Sequence, residues 1–129
     1  MGDLYINISK QAEKIFEEYN RDLVRATNDA IDTIAKEAVT KLRNTSPSDT
    51  GKYARGWTIK REKSPLGINS VIVYNKAKPF LTHLLEFGHL IRNKVGDFGR
   101  SPAHPHIKPV EEWVQTELPQ EIEKELSNI

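Results

Sequence analysis

The chain has 129 residues, a length that predicts one domain over residues 1–129, with 37% hydrophobic and 29% charged residues. Cysteine is absent, which excludes a disulfide framework, a thiolate metal site and a cysteine nucleophile. The net charge of +1 indicates no general preference for nucleic acids or membranes. Residues 1–9 contain no apolar run, and no stretch reaches the length of a membrane span, so we expect a protein that folds in a reducing cytosol.

The charges are distributed unevenly along the chain. Five basic residues and one glutamate between positions 52 and 63 sum to +4, whereas six glutamates and one lysine between positions 111 and 125 sum to −5. Opposite charges on two elements can pair within one subunit or across two copies, and the sequence leaves both open. The candidate interface residues are Lys52, Arg55, Lys60, Arg61, Glu111 and Glu112.

Residues 1–45 are predicted to form one long helix. Apolar residues recur there every three or four positions, which places them on one stripe. Ser9 is the predicted N-cap, and Pro47 disfavours helical geometry at the preceding residue, so the helix should end near Asn44. A helix of about 50 Å is long for this domain, and part of its stripe should project past the core. The stripe comprises Ile8, Ala12, Ile15, Tyr19, Leu23, Ala26, Ala30, Ile34, Ala38 and Leu42.

Residues 46–78 are predicted to form a β-hairpin. A polar turn precedes a first strand over residues 53–63, in which Tyr53, Trp57 and Ile59 are the apolar members. The β-branched run at residues 71–74 is the second strand.

Three further elements complete an α+β fold, in which the long helix packs on a small antiparallel sheet. Residues 79–88 form a short helix that Gly88 ends in a left-handed conformation. Residues 89–108 are glycine- and proline-containing and show no period, which indicates a long loop. Residues 109–129 form a C-terminal helix, in which Pro119 should introduce a kink or a restart before frayed final turns.

Asp49-Thr50-Gly51 resembles the catalytic loop of aspartic proteases. That chemistry requires the aspartate in a loop between apolar strands, where two carboxylates share a proton. The flanking residues are polar and turn-like, so we interpret the tripeptide as a turn in which Gly51 takes a positive φ angle.

Four histidines lie in one half of the chain. His104 and His106 are two positions apart, so an extended segment would direct both side chains to one side. They are weak candidates for metal ligands, and for the site of a metal-dependent hydrolase, because their spacing fits no established zinc pattern. We expect no metal and no other cofactor.

A second alternative is a nucleic-acid-binding module built on the basic segment. The basic side chains of residues 52–63 would contact phosphates while Tyr53 and Trp57 stack on bases. The same aromatic residues are those that a hairpin needs to cover a helix, and the balanced net charge disfavours phosphate binding as the main activity.

Glu86 lies at the C-terminal end of the short helix, where the helix dipole disfavours a negative charge. This position is tolerable if an arginine or a set of backbone amides receives the carboxylate. Arg55 and Arg92 are candidates, and such a contact would position the loop that follows.

Three segments follow one another along the chain: a proline–Asp–Thr–Gly turn, a helix ending in Glu-Phe-Gly, and a proline-rich approach to the last helix. In this order they resemble the small tail-component or neck proteins of long non-contractile-tailed bacteriophages, and the resemblance covers roughly residues 45–115. The motif residues are Pro47, Asp49, Thr50, Gly51, Trp57, Glu86, Phe87, Gly88, Pro102, Pro105 and Pro109.

The resemblance implies a structural virion subunit without catalytic residues, made in the bacterial cytoplasm. Its implied place is the head–tail junction or the tail, in a homo-oligomeric ring with other phage head–tail or tail proteins as partners. Weak contact with passing DNA would be compatible with such a ring, and no membrane is implied. The corresponding fold places Trp57 and Phe87 in the core, where truncation would cost about 3–5 kcal/mol.

Overall fold

A computed structural model describes residues 5–47, 50–65, 67–93 and 96–129. Among these residues the chain forms four α-helices and two two-stranded antiparallel sheets, which confirms the α+β class. The helices are α1 (Ile8–Thr45), α2 (Lys52–Arg55), α3 (Leu81–Phe87) and α4 (Ile107–Ser127), and the strands are β1 (Trp57–Glu62), β2 (Ser70–Asn75), β3 (Leu90–Asn93) and β4 (Gly96–Arg100).

Helix α1 is the long N-terminal helix that the apolar period predicts. Its N-cap is Asn7 and not Ser9, because the Asn7 side chain accepts the Lys10 backbone N–H at 3.0 Å. At its other end, the Ser46 backbone N–H reaches the Leu42 carbonyl at 3.0 Å before Pro47 turns the chain away. Thirty-eight residues extend about 57 Å, and the buried positions begin only at Ala26. The N-terminal part of α1 therefore projects beyond the core.

The first hairpin is shorter than the sequence indicates. Tyr53 was expected in a strand, but it lies in the helical turn α2, and β1 begins only at Trp57. Gly51 is the N-cap of α2 and has a φ of 80°, a left-handed conformation that a residue without a Cβ atom adopts readily. β1 and β2 pair from Trp57 opposite Asn75 to Glu62 opposite Ser70.

A second hairpin occupies part of the segment that was predicted to be a loop. β3 and β4 pair antiparallel within residues 89–108, with an irregularity between Leu90 and Arg92. The sequence did not indicate these strands because Gly96 and Gly99, both with positive φ, interrupt the alternation of apolar and polar residues that is typical of a strand.

Helix α4 begins at Ile107, two residues earlier than predicted, and continues to Ser127 with Pro119 inside it. The restart at Pro119 and the short final turns are therefore wrong, because one helix continues through Pro119, whereas the alternative of a kink there stays a prediction. Lys41 lies over the Trp113 ring at 4.7 Å, and Leu118 shares a cavity wall with Ile31 and Ile34, so α4 runs back along α1.

The core lies where α1, α2, β1 and α4 meet. Trp57 is only 3% exposed there, as expected, but Phe87 is 62% exposed and is not a core residue. Glu86 and Phe87 are neighbours on α3, so their side chains point about 100° apart around the helix, and Glu86 is the one that faces inward. The buried core cluster is Ala38, Val39, Leu42, Tyr53, Trp57 and Val110.

Candidate assembly surfaces and the buried Glu86 cluster

The Glu86 carboxylate caps the start of α4. Its Oε1 accepts the backbone N–H groups of His106 and Ile107 at 2.8 Å each, and its Oε2 accepts that of Lys108 at 3.0 Å. The N-cap residue His106 makes no side-chain cap bond of its own, so the carboxylate from α3 replaces it. Three backbone amides therefore receive Glu86, whereas the Arg55 guanidinium donates to the Thr50 carbonyl oxygen at 3.4 Å instead. The side chain of Arg92 lies outside the described residues.

The ionised form of Glu86 is stabilised despite its burial. Burial acts to raise the pKa of this carboxyl group, but the three backbone N–H donors and nearby His106 outweigh it and hold the pKa below its ordinary value. The negative charge also faces the positive end of the α4 dipole. Glu86 is consequently a carboxylate at neutral pH.

His106 links Glu86 to Tyr53. Its Nδ1 lies 3.0 Å from Glu86 Oε1 and 2.6 Å from the His104 carbonyl oxygen, both of which accept hydrogen bonds. Nδ1 therefore carries a proton, and Nε2 lies 2.8 Å from the Tyr53 hydroxyl oxygen, with which it shares a hydrogen bond. Burial, followed by the Glu86 charge, raises the pKa of Tyr53 to about 12, so this hydroxyl group remains a donor.

Two further residues complete this cluster, which we call the Glu86 cluster: Glu86, His106, Tyr53, Trp57 and Asn75. Asn75 is 2% exposed, donates to the Tyr53 carbonyl at 2.7 Å and accepts the Lys78 N–H at 2.9 Å. Trp57 donates its indole N–H to Ser46 Oγ at 2.8 Å. No sequence pattern indicated Asn75 or the Tyr53–His106 bond, because the latter joins residues 53 positions apart.

The turn before α2 provides the next motif residues. Pro47 and Thr50 line an open cavity of about 320 Å³ together with Tyr53 and His104, whereas Asp49 lies outside the described residues. Thr50 Oγ1 accepts the Lys52 N–H at 3.4 Å, as in a local turn. The predicted positive φ of Gly51 is confirmed.

Gly88 is required by close backbone packing. Its φ is 73°, and a Cβ atom there would lie 2.6 Å from the Ser101 carbonyl oxygen. The positive φ agrees with the sequence, although ψ of 173° is extended and not left-handed helical. The three motif prolines are exposed: Pro102 and Pro105 precede α4, and Pro109 lies in its first turn.

The two candidate metal ligands diverge. The His106 ring is buried in the Glu86 cluster, while His104 is exposed and lines the cavity near Pro47. Within residues 5–47, 50–65, 67–93 and 96–129, no group of three or more metal-ligating side chains is present.

The basic and acidic interface candidates are exposed but do not pair with each other. Arg61 on β1 contacts Asp32 on α1 at 2.9 Å, and Lys60 lies 3.8 Å from Glu62. Among the ion pairs of the described residues, none joins the basic segment to α4. Lys52, Arg55, Glu111 and Glu112 are also exposed.

An apolar stripe crosses the outer side of α3. Phe80 and Phe87 are 68% and 62% exposed, and their spacing of seven places both on one side of the helix. His83 lies between these two residues in the sequence, and the centroid of its ring lies 4.9 Å from that of the Phe87 ring. Leu90 and Ile91 on β3 lie three and four positions after Phe87 and are 45% and 42% exposed. We call these five residues the α3 patch.

A comparison with known protein families identifies the family of this chain. Residues 10–88 match the family model HK97-gp10_like, described as "Bacteriophage HK97-gp10, putative tail-component". The chain belongs to this family. The match covers more than half of the chain, from α1 to Gly88, and so includes the Asp-Thr-Gly turn and Glu-Phe-Gly.

Membership of this family of phage tail components supports a structural, tail-related role and implies a place in the virion. The proline-rich approach to α4 lies beyond the matched residues. No curated protein and no solved structure is significantly similar to the chain. Of the helices described, none has the length and apolar character needed to cross a membrane.

Proposed function

We propose that this tail-family protein is a non-catalytic structural subunit that acts in head–tail joining or tail completion as part of a homo-oligomeric ring. The observation that carries the proposal is the α3 patch. Five apolar or aromatic side chains, Phe80, His83, Phe87, Leu90 and Ile91, are exposed on α3 and β3 and lie outside the buried core cluster. Large exposed apolar side chains gathered in one region of a surface are typical of protein–protein contacts.

The location of the α3 patch suits repetition of one subunit. The Glu86 cluster ties α3 rigidly to α4, because one carboxylate holds three backbone amides across 20 to 22 positions of sequence. A rigid surface that meets a different surface on the next copy forms a ring when the rotation between copies closes on itself, and an open filament when it does not. The basic segment at residues 52–63 and the acidic residues of α4 form no ion pair with each other among the described residues, so they supply charge complementarity for that contact.

Light scattering coupled to size exclusion tests the ring directly. We expect a discrete multimer, or a concentration-dependent series that approaches one, over a wide concentration range at low and high salt. Phe80→Ser with Phe87→Ser should reduce the mass to that of smaller species, whereas Ile72→Ser on the outer face of β2 should not, although Ile72 is also 54% exposed. A monomer under all conditions would contradict intrinsic ring formation.

The virion role requires a genetic test. Deletion of the gene from its phage should yield filled heads and tails that remain unjoined, or tails without a completed end, when particles are viewed by electron microscopy. The wild-type gene supplied in trans should restore complete particles. Infectious, complete particles without the protein would contradict a role in joining or completion.

A further inference from the structure

The N-terminal part of α1 carries large apolar side chains that no other described residue covers. We define residues 8–21 as the overhang, since every residue in this range is exposed. Ile8, Ile15, Phe16 and Tyr19 are 74%, 67%, 70% and 61% exposed, respectively. Exposed isoleucine and aromatic residues in this number are costly in water, at about 25 cal/mol for each Å² of apolar surface.

The pattern on the overhang is that of a helix–helix seam. Ile8, Ala12, Ile15 and Tyr19 are spaced by four, three and four residues, which keeps them in a narrow line along the helix. Phe16 lies beside this line. At about 100° per residue, the opposite side carries only charged side chains, including those of Lys10 and Glu17. The overhang therefore has one apolar face, which carries the seam, and one charged face in contact with solvent, as a paired surface helix requires.

The complementary seam is available on a second copy of the chain. Helix α4 exposes no large apolar side chain along Ile107–Ser127, and α3 is only seven residues long. Among the described helices, the overhang is thus the one that offers a line of apolar side chains over several turns, so the overhang of a second copy matches that of the first. It cannot fold back on its own body, because α1 is one continuous helix through Thr45.

The exposed area is sufficient for such a pair. Four large side chains on each copy expose on the order of 150 Å² apiece, so two overhangs offer on the order of 1,200 Å² for burial. This area corresponds to the lower end of the range for specific protein–protein interfaces. Tyr5 and Ile6, which are 74% and 76% exposed and precede the N-cap Asn7, add further exposed apolar area near this end of α1.

We propose that the overhang is a self-association site at which two copies of this chain pair through the Ile8–Ala12–Ile15–Tyr19 seam. This contact is separate from the α3 patch, and it does not depend on the proposed ring. It would link subunits through helices that project from the body, whereas the α3 patch would link the bodies.

Cysteine cross-linking gives the most direct test, because the natural chain contains no cysteine. Ala12→Cys and Ile15→Cys are oxidised separately and as a mixture. A parallel pair should link each variant to itself, and an antiparallel pair should link the mixture preferentially. Glu17→Cys, on the charged face, is the matched control and should form at least about tenfold less covalent dimer. Equal cross-linking at position 17, or none at positions 12 and 15, would overturn the proposal.

A second measurement separates this contact from the ring. Ile15→Glu with Tyr19→Glu should weaken the overhang-dependent association by about 100-fold in sedimentation velocity. Lys14→Glu is the charge control, and circular dichroism should show a folded protein in each case, since all three side chains are exposed. Unchanged association of the double variant would overturn overhang pairing. A multimer that persists in this variant but is lost with the α3-patch variant would leave the ring proposal intact.

Discussion

The Glu86 carboxylate and the His106 backbone N–H lie 2.8 Å apart, which connects the end of α3 to the start of α4. Glu86 thereby performs the capping that the His106 side chain does not. This contact explains how a glutamate is tolerated at a helix C-terminus: its charge is compensated by the N-terminus of another helix.

Replacing Glu86 by alanine should lower the free energy of unfolding by about 2–4 kcal/mol, because three backbone donors and His106 lose their acceptor. Glu86→Gln retains the oxygen acceptor without the charge and should lose less. Urea denaturation at pH 7 measures both. Equal stability of Glu86→Ala and the wild type would show that water replaces the carboxylate without cost.

The contribution of Glu86 should depend on pH. Its pKa is lower in the folded protein than in the unfolded chain, where a glutamate has a pKa of about 4.3. The associated stability is fully present above that unfolded value and is lost as the pH falls through the lower folded-state pKa. The stability difference between the wild type and Glu86→Gln should therefore shrink below about pH 4. A difference that is constant from pH 7 to acid would contradict the depressed pKa.

Tyr53 should be the last tyrosine to ionise, because burial and the nearby Glu86 charge raise its pKa to about 12. Spectrophotometric titration of the four tyrosines should show a late component that is absent from Tyr53→Phe. The same shift means that stability falls as the pH rises above about 10, the pKa of an unfolded tyrosine. Loss of an early component instead would place Tyr53 in a solvated environment.

Trp57 and Phe87 should differ in their effect on stability. Trp57→Ala should cost about 3–5 kcal/mol, because the side chain is 3% exposed and its indole N–H is bonded to Ser46. Phe87→Ala should cost less than about 1 kcal/mol because the ring is mainly in solvent. Thermal unfolding of both variants checks this, and similar losses would contradict the described burial.

Gly88 should be less tolerant of alanine than Gly99. Both have positive φ, but the added Cβ lies 2.6 Å from the Ser101 carbonyl oxygen at position 88, whereas nothing lies within 4 Å at position 99. Gly99→Ala therefore reports the backbone cost alone, about 1–2 kcal/mol. Gly88→Ala should cost at least about 1 kcal/mol more in chemical denaturation. Equal costs would mean that the Ser101 segment moves aside freely.

Local chemistry in the sequence is sufficient for several elements. The apolar period predicts α1 and its projection, and the β-branched run at residues 71–74 predicts β2. The polar turn predicts the positive φ of Gly51. The position of Glu86 near a helix C-terminus indicates that its charge needs a partner. Each of these inferences depends on residues within a few positions of one another, where periodicity and backbone sterics act.

The partner of Glu86, the burial of Trp57 rather than Phe87, and the second hairpin were decided by the tertiary structure. The sequence indicated that Glu86 needs backbone amides or an arginine, but the choice of the α4 N-terminus depends on a contact across 20 positions. Phe87 and Trp57 have similar local character, yet only Trp57 meets α1 and α4, so burial separates them. The second hairpin is specified by pairing and not by alternation. Such choices lie beyond the sequence because their energy comes from contacts between segments that only the fold brings together.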